Sequence, residues 1–527
     1  MTAKVISLQI KPGIQRDGTM FDAPCFVDAL WCRFQRGRPR KMGGYRGMFL
    51  NATGISRGMI MNSQDGLNYV YSGTFGALQL WNVDNNNGTG SGPTNITLND
   101  FSSNDNNLWQ FDIGLDFNGT GNNKLVAHPG LNLTNIDNTV NTPVLIGDFI
   151  GSSMAKITDS TGVAPTGDTI EVSGGCVFLH PYLFVYGNDG LIKNCSAGDF
   201  SNWNSADANE NNVATGKIVK GMPIRGGTTS PAGLFWSLDS VVRVAYNPAT
   251  VGTSTIYWKY DIVSSQSSIM SSNCVIEYDG VFFWVGVDRF LMYNGIVQEV
   301  PNQMNFNYFF DNLNYNQRQK VWASKVPRWG EIWFFFPSGD STECNDAVIF
   351  NVRDQVWYDA GAALGARRSA GCFTEVFRKP VWAGNEINNT GDYTLWQHET
   401  GVDQIYLSSQ SAIQSYFETN SLGWVNGGPG ANEVVGNNKW IRLERLEPDF
   451  VQNEEMNLYI TGKGYADDVD ITTGPYTFTP DTLKIDLREQ RREMRLRFES
   501  NIVNGDYETG LILLSADVGD ERSTGNP

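Results

Sequence analysis

The chain has only three histidines among 527 residues, and Asp, Glu, Lys and Arg together make up 18% of it. Its seven cysteines (25, 32, 176, 195, 274, 344 and 372) are odd in number and include no C-x-x-C pair. That pattern argues against a disulfide frame or a zinc site and fits small buried residues. His128, His180 and His398 are far apart, two of them directly before proline, without the spacing of metal ligands. Each reads as structural, and neither a metal nor another cofactor is expected. Long apolar runs are missing too: VFFWVGV (281–287) is far too short to span a bilayer. The first residues, MTAKVISLQIKPG, contain no apolar stretch of leader length, so synthesis as a soluble cytoplasmic protein is expected.

Glycine is plentiful, at 56 residues, and hydrophobic residues make up 41% of the chain. This content is enough for packed cores, and the length predicts more than one of them. Gly and Asn supply the positive φ that tight hairpins need, so the composition reads as strands joined by turns. The segment 274–300, CVIEYDGVFFWVGVDRFLMYNGIVQEV, divides into CVIEY, VFFWV, RFLMY and IVQEV. Asp279-Gly280 and Asn294-Gly295 are hairpin signals, and four strands in this span make an antiparallel meander, the blade of a β-propeller. Looser copies occur at 57–82, 176–196, 233–246, 331–358 and 380–397, without a fixed repeat consensus.

The expected fold is therefore all-β. Residues 1–50 form an N-terminal arm with a basic, turn-rich segment, and 51–400 form an irregular propeller of six or seven blades. Residues 401–527 form a β-sandwich-like domain. Polar stretches at 82–107 and 137–170 read as inserted loops, and 302–322 as the one substantial helix. In EMRLRFES, Met494, Leu496 and Phe498 alternate with Arg495, Arg497 and Glu499, the period of a half-buried strand.

Motifs for chemistry are weak. Gly54-Ile55-Ser56-Arg57-Gly58 matches G-x-S-x-G but leads into a strand of an all-β region rather than an elbow before a helix. Residues 162–169, GVAPTGDT, resemble a phosphate loop with Asp168 in the lysine position, where a carboxylate repels phosphate. The calcium-loop-like run from Asp207 has Asn212 for the glycine and Ile218 for the glutamate. Asp467, Asp468 and Asp470 read as a solvated acidic turn. No catalytic residue is assigned, and a non-enzymatic protein is expected.

Three stretches carry a family resemblance: IKPGIQRDGTMFDAPCFVDALWCRFQRGRPRKMGGYRG, NYFFDNLNYNQRQKVWA followed by EIWFFFPS and NDAVIFNVRDQVWYDAG, and LREQRREMRLRFESNIVNGDYETGLILLSADVGD. In this order they resemble the tail hub or nozzle proteins of short-tailed bacteriophages, a group that includes packaged-DNA stabilisation and tail tubular protein B-like proteins. The resemblance implies a virion tail component, a homo-hexameric ring below the head-to-tail adaptor, whose channel retains and then conducts the DNA genome. It also implies contact with a tail fibre, tailspike or tail needle, and with the host envelope at the distal tip. The formal charge of -17 fits a wall that lets duplex DNA slide rather than one that grips it.

Against that acidity stands RFQRGRPRKMGGYR at 33–46, with six bases and no acid. Arg33, Arg36, Arg38, Arg40, Lys41 and Tyr45 are the expected interface residues, clasping an acidic surface of a neighbouring subunit or the adaptor. A grip on DNA, a solvated loop, or pairing with the propeller's own acids are the other readings of the cluster. A glycan-binding or glycan-cleaving propeller is the alternative function, since propellers present aromatics and carboxylates at pockets.

Overall fold

The computed structural model describes residues 4–521, apart from 21–22, 65, 84–89, 99–107, 131–143, 150, 152, 158–171, 225–229, 375–377, 423–438 and 465–467. The phosphate-loop-like segment 162–169, Asp467 and much of both expected insertions lie outside the described residues.

The chain is all-β and builds a seven-bladed propeller. Six successive four-stranded antiparallel sheets start with the strands Ser56–Gln64, Gln110–Leu115, Gly175–Leu179, Ile218–Pro223, Val275–Tyr278 and Trp322–Val326. The seventh blade begins with Arg368–Cys372, and the ring closes where this strand meets Ser56–Gln64 of the first blade. Its fourth strand is Tyr45–Ala52, which precedes the whole propeller in sequence and pairs antiparallel with Tyr393–His398, and Gln404–Tyr406 and Ser409–Ser411 extend the sheet beyond it. Closure by a strand from the other end of the ring ties the last blade to the first.

The turns follow from residue type. At Asp279-Gly280 both residues have positive φ (50° and 81°), and Tyr278 pairs with Val281 across them, a two-residue hairpin. The apolar clusters lie between successive blades. One joins the fourth, fifth and sixth through Trp236, Trp284, Phe334 and Trp357. Another joins the seventh and first through Val381, Leu395, Met59 and Trp81. Blades are thus sandwiched by their neighbours, which is why their strands read as nearly continuous apolar runs.

Three expectations need correction. Residues 4–52 are not an arm. Lys4–Ser7 pairs with Leu513–Glu521, Asp28–Leu30 with Ser415–Glu418, and the hairpin Cys32–Gln35/Arg38–Lys41 joins Tyr507–Thr509. These strands complete the sandwich-like C-terminal body, whose own strands leave edges that local sequence cannot cover. The stretches 82–107 and 137–170 are not wholly insertions: Gly90–Asn95 is the outer strand of the first blade, and Leu145–Asp148 and Ala155–Lys156 complete the second. The helix is short, Phe306–Asn312, followed by a 3-10 turn at Tyr315–Lys320. The Asn314 side chain accepts from the Asn316 amide and competes with helical bonding there.

The period-two reading of Glu493–Ser500 matches the structure. Met494, Leu496 and Phe498 are fully buried in a core shared with Leu458, Ile460 and Phe478.

Candidate functional site

The basic cluster is folded inward. Arg33 is 1% exposed and forks onto Glu399, with Nη1 to Oε2 and Nη2 to Oε1 both at 2.7 Å. Its Nε lies 2.8 Å from Glu331 Oε1, and its guanidinium sits over the Trp329 ring at 4.8 Å. Burial works against its charge, but Glu331 and Glu399 outweigh that and raise its pKa. Lys41 is buried and donates to the Gly505 carbonyl at 2.6 Å, and burial, opposed by Asp403 and Asp506, brings its pKa down to about 8. Arg40 and Arg36 share Glu508, at 3.1 and 2.6 Å. Arg38 is half-buried, and the Arg36 side chain, 78% exposed, faces solvent. An intermolecular clasp through Arg33, Lys41 and Tyr45 is therefore corrected, because their polar groups already hold partners of the same chain. For Arg33 this is the pairing with the propeller's own acids, whereas Arg36 and Arg40 pair with Glu508 of the C-terminal body.

A second buried ionic group extends the junction. Arg16 pairs with Asp359 at 2.8 Å, donates to the Ala29 carbonyl at 3.0 Å and contacts Asp28. Asp346, beside Asp359, accepts from the Tyr308 hydroxyl and from the Ala347 and Ala362 amides. Burial and the neighbouring Asp359 push its pKa up to about 6.

Tyr45, the sixth expected residue, leads to an open feature of the chain. It begins the closure strand, 2% exposed, with the Arg368 guanidinium over its ring at 4.8 Å and His398 stacked at 5.0 Å. Its hydroxyl donates to Gln404 Oε1 at 3.1 Å. Above this layer lies a cleft of about 200 Å³, lined by Tyr45, Arg368, Trp396, Gln404 and Tyr406 with Glu386, Asn388, Asn389 and Thr394 at its rim. Five strands of the seventh blade supply these residues, Tyr45–Ala52, Arg368–Cys372, Val381–Ile387, Tyr393–His398 and Gln404–Tyr406, with Asn388 and Asn389 in the turn after Ile387. The volume equals the share of about six or seven liquid waters.

The cleft's polar groups are only partly used. Asn388 Nδ2 donates to Thr394 Oγ1 at 3.2 Å and to Tyr406 Oη at 3.4 Å, and Glu386 pairs with Arg367. Arg368 Nε donates to His398 Nε2 at 3.0 Å, while its Nη2 is buried without a hydrogen-bond partner. Burial lowers the Arg368 pKa to about 10, leaving it charged at neutrality. Sequence reasoning treated 380–397 only as a strand pair. The signal for the cleft was the density of Asn and aromatics in NEINNTGDYTLWQ.

Two other sequence motifs are engaged within the chain. Ser56 is fully buried and accepts from Ser72 Oγ at 2.7 Å. Asp207 is engaged by Ser196, Ala197 and Ser205 of its own loop. All seven cysteines are free, and among the described residues no group of His, Cys, Asp and Glu is arranged to hold a metal ion.

No family model matches the chain, and no curated protein matches it. Among solved structures, the extracellular domain of a putative hybrid two-component system from B. thetaiotaomicron aligns with a TM-score of 0.41 and 10% identity. The alignment covers 92% of this chain and 63% of that one, so this chain spans less than two thirds of its length. A glycoside hydrolase aligns with a TM-score of 0.28 and 9% identity, over 88% of this chain and 100% of its own. Similarity at this level carries no argument about activity.

Proposed function

We propose that this chain is a structural subunit of a short phage tail, six copies of which form a nozzle whose acidic channel retains and then conducts the genome. The observation that carries the reading is the stitching of residues 4–52 through both bodies, with strands in the C-terminal sheets and then in the last blade. A subunit that bears load during genome passage must not separate at a domain junction. Here the junction is crossed by paired strands and by Arg33, held between Glu331 and Glu399. The ordered resemblance along the chain and the charge of -17 point the same way. The partners on this reading are further copies of the chain, the head-to-tail adaptor and a tail appendage, with the virion tail as the location.

Weighing the purified protein, alone and with the adaptor, tests it. A ring of six is expected in at least one condition. A monomer in both overturns the proposal.

A glycan-binding role is a second reading, favoured by the seventh-blade cleft. Glycoside cleavage ordinarily uses two carboxylates about 5–9.5 Å apart, whereas among the described residues Glu386 is the single carboxylate lining this cleft. The cleft thus supports retention of a sugar rather than its hydrolysis.

A further inference from the structure

The seventh-blade cleft holds more hydrogen-bonding capacity than the chain itself uses. Trp396 Nε1 and the Asn389 amide make no hydrogen bond among the described residues. Gln404 accepts from Tyr45 through Oε1 while its Nε2 is unspent, and Tyr406 accepts through Oη while its own proton remains to be donated. Solvent-facing polar groups that converge on one concave site are free to exchange water for a ligand. Beside them stand two aromatic rings, Trp396 and Tyr406, with centroids 5.8 Å apart and planes 47° to each other. Exposed Ile387 adds apolar surface at the rim.

The floor is rigid. Trp396 packs edge-on against Tyr45 at 5.2 Å, and the Arg368 guanidinium lies over both rings, at 4.8 and 5.3 Å. Gly384 keeps the wall low: a Cβ there would stand 3.0 Å from Trp396 Nε1 and crowd it. An aromatic face for C–H groups, ringed by amide and indole donors, matches the two-sided chemistry of a pyranose. An anion is disfavoured, because the Arg368 guanidinium is only 4% exposed against the rings and the Glu386 carboxylate stands at the rim.

We infer that this cleft binds one neutral pyranose residue, stacked on Trp396 and hydrogen-bonded by Gln404, Asn389 and Tyr406. The site has the volume for a single ring, so binding in the millimolar range is expected for a monosaccharide, rising when several copies present their clefts together.

Ligand-observed saturation-transfer NMR on the full chain tests this with the methyl glycosides of glucose, galactose, mannose and N-acetylglucosamine. N-acetylneuraminic acid serves as the anionic comparison. Saturable binding of at least one neutral glycoside is expected, weakened tenfold or more in Trp396→Ala. Asn389→Ala, a substitution at the rim that leaves the floor intact, is expected to weaken it several-fold with an unchanged melting temperature, and Gln404→Ala, which also removes the acceptor of the Tyr45 hydroxyl, is expected to weaken it several-fold as well. Absence of binding by all four neutral sugars overturns the inference. So does binding of the acid alone, or binding that the Asn389 and Gln404 variants both leave intact. The inference does not depend on the tail reading: a monomer that binds a sugar refutes the ring and keeps the site, and a ring that binds none does the opposite.

Discussion

At the scale of single residues, the strongest constraints are buried charges whose partners lie far away in sequence. Arg33 is held by Glu331 and Glu399, and taking away one member of such a group leaves the rest charged and dry. Arg33→Ala is therefore expected to lower unfolding stability by about 3–5 kcal/mol in urea titration. Arg33→Lys should recover only part of it, since an ammonium cannot fork onto Glu399. His128 gives a pH dependence. It donates from Nε2 to the Val172 carbonyl at 2.7 Å and accepts the Gly130 amide at Nδ1, so it is neutral, and burial lowers its pKa to about 3. A histidine depressed on folding stabilises above its unfolded value of about 6.5, and that contribution is lost as pH falls toward 3. Amide exchange of the strand Asn123–His128, corrected for intrinsic rates, should be faster at about pH 5 than at pH 7, and His128→Gln should remove the difference. Asp346 has the opposite sign. Its pKa is raised to about 6, so its stabilising share is present at low pH and is lost as pH rises from about 4 to 6. Melting temperatures across that window should slope less in Asp346→Asn than in the parent, and equal slopes would count against the assignment.

At the scale of elements, the features fixed by neighbouring residues were legible and those fixed by distant ones were not. The DG turn at Asp279-Gly280, the alternation in Glu493–Ser500 and the four-strand meander of 274–300 depend on contacts within a few residues. Local pattern therefore reveals them. The fate of 33–46 depends on Glu331 and Glu399, which lie 298 and 366 residues from Arg33. Nothing local announces them, so the segment read as a clasp for an acidic surface on a neighbouring subunit or the adaptor. Its glycines misled in the same way. Gly44 reads as a turn residue, yet its role is close approach: a Cβ there would stand 2.3 Å from the Asp403 carbonyl oxygen. Gly44→Ala should cost roughly 1–3 kcal/mol by overpacking the start of the closure strand. The cleft was hidden because its rings and amides come from three strands and the turn at Asn388-Asn389, which only the closed ring brings together. Because the C-terminal body borrows Lys4–Ser7, Asp28–Leu30 and Arg38–Lys41, residues 401–527 alone should show no cooperative unfolding by near-ultraviolet circular dichroism. Tethering residues 1–44 to them should restore it. A cooperative transition in the isolated 401–527 fragment would contradict the interlaced topology.

At the scale of the whole molecule, the question is what the net charge does once the basic cluster has been accounted for. Five of the six expected interface residues are buried or half-buried, and four of the five basic ones are used at least partly within the chain through Glu331, Glu399, Glu508 and the Gly505 carbonyl. The inward pairing removes the strongest local candidate for a DNA grip, and the excess of 56 acids over 39 bases stands. Six copies at -17 each carry a formal -102. Duplex DNA presents a charge about every 1.7 Å of axis, so a passage of this sign repels it along its length and leaves it free to slide. A protein with six to ten phosphate contacts gains about 10³–10⁵ in affinity when salt falls from about 200 to 50 mM. The proposed nozzle makes no such contacts. Titration of a fluorescent duplex with the purified chain should show no association at about 150 mM salt and none gained at about 50 mM. Steep salt-dependent binding would mean that cationic side chains meet the genome, and the acidic conduit would have to give way to a clamp.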